Sequence, residues 1–190
     1  MPYAQYLVAE DTTRSGREVQ SASPAEFESA ITGVWQECAR VLKPDGLLTF
    51  TFHQARLSGW VALVRAIAEA GLVITAVQPV KGEMTTSVTK GGVEPSNLDA
   101  VIVCRKRSAD GSSSQADPIE AAEIGDRRLI TLKVAGVEVG AGDIRSVIRG
   151  HVLATYTGNP KKIDVDALAV VADELATERV TRLMATREND

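Results

Sequence analysis

Between Ser23 and Arg107 the chain switches repeatedly between two hydrophobic periods, and this alternation constrains its fold more than any other feature. Apolar steps of three and four residues mark helices, while short apolar runs rich in β-formers mark strands. Ser23 precedes Pro24, and Glu26 lies three residues after Ser23. That is a capping box with Pro at the first helical position. Apolar residues follow at Phe27, Ile31, Val34, Trp35, Cys38, Val41 and Leu42, which predicts a long helix with one buried face. Lys43-Pro44-Asp45-Gly46 ends it in a tight turn. Leu47-Leu48-Thr49-Phe50-Thr51-Phe52 predicts a well-buried strand. Trp60, Val61, Leu63, Val64, Ile67 and Ala68 predict a second amphipathic helix, stopped at Gly71. Residues 72–77 and 100–104 predict two more strands, separated by a polar loop and closed by Arg105-Lys106-Arg107. Helix, strand, helix, strand, loop, strand is the order of an α/β layered fold.

The stretch Ser108–Pro118 (SADGSSSQADP) has the composition of a linker. It divides the chain into residues 1–107, a linker at 108–117, and a part at 118–190 that reads as a small, mainly helical tail. Within that tail Ile130, Leu132 and Val134 alternate with polar residues like a half-buried strand. Ile144, Val147, Ile148, His151 and Val152 have helical spacing, and Asp164 can cap a last helix carrying Val165, Leu168, Ala172, Leu175 and Leu183. A length of 190 residues suits one ordinary domain with at most a small appendage. The hydrophobic share of 44% and charged share of 24% are those of a globular protein. No apolar run approaches the roughly 20 residues of a membrane span. The first residues lack a basic start followed by an apolar run, and the two cysteines cannot form a disulfide scaffold; both lead to an expected cytoplasmic location. The net charge of -4 means that any nucleic-acid role needs a local basic face.

His53 ends the first predicted strand at its C-terminal end, where ligands bind in open α/β sheets. It reads either as a pocket-lining imidazole or as a hydrogen-bonded histidine at a strand edge. His151, among apolar residues of a helix, reads as structural. Tyr3 and Tyr6 could stack on a base, although a frayed terminus explains them too. Trp60 fits core packing. Arg105, Lys106 and Arg107, with Lys81 and Lys90, read as phosphate contacts or as a solvated strand end. Cys38 and Cys104 read as small buried hydrophobes. Gly140-Ala141-Gly142 after Val137-Glu138-Val139 has the look of a cofactor loop. The expected third glycine is replaced by Ile144 or Arg145, however, and a turn capping a helix at Asp143 explains the same residues. The carboxylates Asp164, Asp166, Asp173, Glu174 and Glu178 have ordinary helix-surface spacing.

The segment "ECARVLKPDGLLTFTFH" resembles the helix and fifth strand of class I S-adenosylmethionine-dependent methyltransferases. With "EAGLVITAVQPVKGEM" and "DAVIVCRK", and with the later "VEVGAGDIRSVIRGHVLATYTG" and "IDVDALAVVADELA", it is similar to the C-terminal part of the DUF1156 family of adenine-specific DNA methylases. The resemblance covers most of residues 23–180. It implies the last strands of a Rossmann-like sheet, the final one antiparallel, with a mainly helical tail. It also implies S-adenosylmethionine as methyl donor and DNA as substrate. A base aimed at the methyl group needs acceptors for its amine and an aromatic to stack on, which the family supplies on an Asp-Pro-Pro-Tyr-type turn. No such turn occurs here; Asn159-Pro160 runs into Lys161-Lys162. Placed strand on strand, these residues begin after that turn, with strands one to four outside them. The expectation is therefore a fragment inactive alone, with no catalytic, cofactor-binding or metal residue assigned and His53 as the single pocket-lining candidate. Two alternatives accompany it: half of a split methyltransferase completed by a partner chain, and a non-catalytic interaction module docking through its last helix.

Overall fold

The computed structural model describes residues 19, 23–82, 96–108 and 117–185. Tyr3, Tyr6, Lys90 and most of the predicted linker lie outside the described residues. Helix α1 spans Pro24–Val41, and the Ser23 hydroxyl accepts from the Glu26 N–H at 3.5 Å, as the capping box requires. Its buried stripe is narrower than the sequence predicts. Trp35 is buried and Ile31, Cys38 and Leu42 are partly buried, but Val34 and Val41 face outward. Among the described residues α1 packs mainly on α2, with Trp35 against Phe50, so its buried face meets chiefly one ridge of neighbours.

Strand β1 (Leu48–Phe52), helix α2 (Leu57–Glu69), strand β2 (Leu72–Lys81) and strand β3 (Leu98–Lys106) follow. Gly71 turns the chain from α2 into β2 with φ of 75°, a left-handed conformation that suits glycine. The sheet order is β1-β3-β2, and β3 runs antiparallel to both neighbours. Leu48 faces Cys104 and Phe52 faces Ala100 across β1 and β3. A bulge between Ile74 and Ala76 interrupts the β2–β3 register. The architecture is mixed α/β, mostly helical, with a three-stranded antiparallel sheet.

Strand β1 is not well buried, contrary to the sequence expectation. It sits at the edge of the sheet, and its residues alternate between half-buried and exposed, Thr49 and Thr51 pointing out. The apolar run LLTFTF resembles a central strand, but burial on both faces needs layers on both sides. Among the described residues only one face of the sheet is well covered. That face carries Ala100, Ile102 and Cys104 of β3 and Leu72, Ile74 and Val77 of β2, all buried.

Residues 130–134 are also not a strand; they end helix α3 (Pro118–Val134). Asp117 caps that helix by accepting from the Ile119 N–H at 2.7 Å, and Pro118 occupies its first turn. Its buried residues are Ala121, Ala122, Gly125, Asp126 and Leu129, a helical spacing. Ile130 and Val134 are exposed while Leu132 packs partly against the core, so the three apolar residues do not share one face as a strand would require. Helix α4 spans Ala141–Ala154, a 3-10 turn spans Thr155–Gly158, and helix α5 spans Val165–Ala185. Asp164 caps α5 as the sequence predicts, accepting from Asp166 N–H at 2.9 Å.

One hydrophobic core runs from Trp35 to Ala176 and draws on both parts of the chain. Helix α2 lies at its centre, touching α1, β2, α4 and α5, and is buried nearly all round. Trp60 is 1% exposed, stands edge-on to Phe52 at 5.0 Å, and donates its indole N–H to the Gln54 carbonyl at 3.1 Å. Gly150 of α4 presses against this ring. A Cβ there would lie 2.7 Å from the Trp60 ring, a distance atoms do not tolerate. Gly150→Ala is therefore expected to lower the unfolding free energy by ~1–3 kcal/mol through overpacking. Urea unfolding of the variant beside the parent measures it, and equal midpoints would show that Trp60 yields freely.

Candidate functional site

His53 follows the last residue of β1. Because Phe52 pairs with Ala100, the register carries His53 to the level of Asp99 on β3. The imidazole Nδ1 and Asp99 Oδ1 are 2.7 Å apart. A carboxylate only accepts, so the proton belongs on Nδ1 and leaves Nε2 as an acceptor. The imidazole is about half exposed, at the strand's C-terminal end. This is an oriented imidazole that can take a hydrogen bond or a proton from a bound molecule. Sequence reasoning found His53 but missed Asp99, which is 46 residues away. Only the antiparallel pairing of two strands could have revealed it.

The Gly140-Ala141-Gly142 turn opens α4, as a glycine-rich phosphate loop opens a helix, but its donors are already engaged. Asp143 is fully buried beside it. Its Oδ2 accepts from the Gly140 N–H at 2.9 Å. Its Oδ1 accepts from Ser96 Oγ at 2.9 Å, Asn97 N–H at 2.6 Å and Leu98 N–H at 3.0 Å. The carboxylate of the chain itself thus occupies the place that a ligand anion would take at this helix start. With its donors so engaged, this turn does not fit the carboxylate or ribose of S-adenosylmethionine. Among the described residues no group of three or more His, Cys, Asp or Glu is placed to hold a metal ion, and no helix is long and apolar enough to cross a membrane.

The basic triplet divides into three roles. Arg107 turns inward and donates to the carbonyls of Ala68, Leu72 and Thr157 at 3.1, 3.1 and 3.0 Å, joining the end of α2, the start of β2 and the 3-10 turn. Burial pushes its pKa below the usual arginine value, and Tyr156 partly opposes this. Arg105 is exposed and reaches the Asp45 carbonyl at 3.2 Å, whereas Lys106 borders a groove beside β2. Lys81, at the end of β2, is exposed. Cys104 is a buried thiol whose pKa burial pushes up to about 12, so it is no nucleophile near neutrality. The tail carboxylates take part in ion pairs: Asp166 with Arg65 at 2.7 Å, and Asp173 with Arg149. A further pair that the sequence did not reveal, Asp126 with Arg179 at 3.0 Å, joins α3 to α5 in the interior.

His151 is buried, and its Nδ1 donates to the Val147 carbonyl at 2.8 Å, one turn back in α4. Its Nε2 makes no hydrogen bond. Burial holds its pKa below the ordinary histidine value. Arg128 adds to this effect, and the Val147 and Val77 backbones oppose it.

No protein-family model, no curated protein and no solved structure matches this chain.

Two outcomes follow from these buried groups. Asp143→Ala leaves the Asn97, Leu98 and Gly140 N–H groups without an acceptor, and is expected to cost ~3–5 kcal/mol in chemical denaturation. Burial holds the His151 pKa of the folded chain below its ordinary value, so on acidification the unfolded chain takes up this proton first, from about pH 6.5 downward. The unfolded state then holds more protons, so stability falls as pH falls through that window, by up to about 1.4 kcal/mol per pH unit. Thermal unfolding between about pH 7.5 and pH 5.5 reads this slope. His151→Gln is expected to flatten it, and an unchanged slope would assign the effect to other groups.

Proposed function

We propose that the chain is the far flank of a class I S-adenosylmethionine-dependent methyltransferase sheet of the DUF1156 type, acting on adenine in DNA only when the remaining strands are supplied from outside these 190 residues. The observation that carries this reading is the sheet. Its final strand runs antiparallel and lies between β1 and β2, which therefore run parallel to each other. An antiparallel final strand inserted between two mutually parallel strands is what the resemblance implies. The free side of β1 supports the same reading. Among the described residues β1 has a strand neighbour on one side only, leaving backbone donors and acceptors available for another strand. Val41 and Leu47 are exposed at the junction of α1 and β1. Val101 and Val103 are only half buried on the open face of the sheet.

In this reading the partner strands bring the cofactor loop and the acid- or amide-Pro-Pro-aromatic turn. S-adenosylmethionine supplies the methyl group there. The described residues contribute the edge on which the catalytic strand packs, and they place the His53 imidazole, oriented by Asp99, at the strand end facing the shared cleft. The missing part comes either from a preceding segment of the same protein or from a second chain. A docking role for the last helix has less support. Val165, Leu168 and Ala172, whose spacing suggested it, are buried in this chain's own core.

The test is a filter assay with labelled S-adenosylmethionine and adenine-containing duplex DNA. The chain alone is expected to transfer no methyl groups above background. Co-expression with the polypeptide encoded immediately upstream is expected to give a complex with transfer activity. Val41→Asp with Leu47→Asp, both at exposed positions, is expected to weaken that complex without altering the melting temperature. Robust transfer by the isolated chain, or the absence of any methylating complex, would overturn the proposal.

A further inference from the structure

The His53 imidazole is about half exposed, yet the groups that set its position are largely buried. Residues 53–56, which carry it, link β1 to α2, and their carbonyls are held by side chains of two core helices. The Gln54 carbonyl accepts from the Trp60 indole N–H of α2 at 3.1 Å and from Ser146 Oγ of α4 at 2.9 Å. The Ala55 carbonyl accepts from the Arg149 guanidinium of α4 at 2.9 Å. With β1 paired to β3 on one side of His53 and these bonds on the other, its backbone is fixed from both directions.

Asp99 is held as firmly. Asn97 and Leu98, immediately before it, donate their N–H groups to the buried Asp143 carboxylate at 2.6 and 3.0 Å. Asp99 itself is in register with Val80 of β2. Gly82 runs alongside, its N–H donating to the Asn97 carbonyl at 2.9 Å. A Cβ on Gly82 would stand 3.3 Å from Asp99 Oδ1, so the glycine leaves the carboxylate its room. A surface histidine commonly samples several rotamers. This one starts from a pinned loop and meets a pinned carboxylate at 2.7 Å. Support of that kind around an exposed polar group prepares it to react.

We propose that His53 is the proton acceptor of the site and that Asp99 is its positioning residue. The inference rests on the proposed function for the reaction, but not for the state of the ring. Transfer of a methyl group from a sulfonium to an amine releases one proton. The sulfur keeps the electron pair of the breaking C–S bond, the amine nitrogen forms the new N–C bond, and one N–H bond breaks with its pair left on nitrogen. The proton passes to His53 Nε2, and the Asp99 carboxylate balances the imidazolium so formed.

The first measurement uses the chain alone, which has only two histidines, so a long-range proton–nitrogen spectrum separates both rings. At about pH 8, above the ordinary histidine range, the parent is expected to show His53 protonated on Nδ1. Asp99→Ala removes the acceptor and is expected to move that proton to Nε2, the form histidine favours in water. The same tautomer in both proteins would overturn the role of Asp99. The second measurement uses the complex with the upstream-encoded polypeptide, with equal melting temperatures as the folding control. His53→Gln still accepts a hydrogen bond but cannot take a proton, and is expected to lower kcat about a hundredfold with KM for DNA unchanged. Asp99→Ala is expected to lower kcat about tenfold. Parent-like kcat in His53→Gln, or a loss confined to KM, would overturn the proton-acceptor role. A parent complex without transfer overturns the methyltransferase reading itself and the proton-acceptor role with it.

Discussion

Asp143 sits with no exposure to solvent, and its two oxygens accept hydrogen bonds from Ser96, Asn97, Leu98 and Gly140. A carboxylate without a cation is costly to bury, and here backbone donors and the start of a helix replace the lost water. What the contact accomplishes is topological. It fixes the entry of β3, the central strand, to the beginning of α4, so the sheet and the helical part are held at one point. At the opposite end of β3, Arg107 joins α2, β2 and the 3-10 turn through three carbonyls. The middle strand is thus anchored at both ends to elements from both parts of the chain. The single core follows from that arrangement, with α2 enclosed by α1, β2, α4 and α5.

The same anchoring separates two regions of different character. On the β2 side the fold closes on itself. The Thr157 hydroxyl donates to the Ala154 carbonyl at the end of α4 and accepts from the Ile74 N–H at 2.9 Å, while α3 and α4 flank a groove. On the β1 side the sheet stops abruptly among the described residues. Threonines face outward there, and an oriented imidazole marks the strand end.

Much of the local structure was legible in the chain. The capping box at Ser23, the stop at Gly71, the enclosed position of Trp60 and the cap at Asp164 are all contacts within a few residues, and their chemistry is written in adjacent side chains. The two errors also have local explanations. LLTFTF has the composition of a central strand, but composition reports burial capacity and not the number of neighbouring layers. Residues 130–134 alternate by coincidence at the end of a helix whose buried positions, Ala121, Ala122, Gly125 and Leu129, have helical spacing. The candidate site was half legible: His53 stood out at a strand end, whereas Asp99 did not.

The sequence by itself determined which segments of residues 23–107 become helix and which become strand, because caps, glycine turns and hydrophobic periods act over one or two turns of chain, although β2 and β3 run past the expected 72–77 and 100–104 to Leu72–Lys81 and Leu98–Lys106. It also determined that the Gly140-Ala141-Gly142 segment would turn into a helix. Only the tertiary structure decided which edge of the sheet stays open, that Asp143 fills its own glycine turn, and that His53 meets Asp99. Those outcomes depend on strand order and on side chains 45 or more residues apart meeting in space, as in the contact between Asp143 and Leu98. Such meetings are set by the free energy of the assembled core and not by any local run of residues.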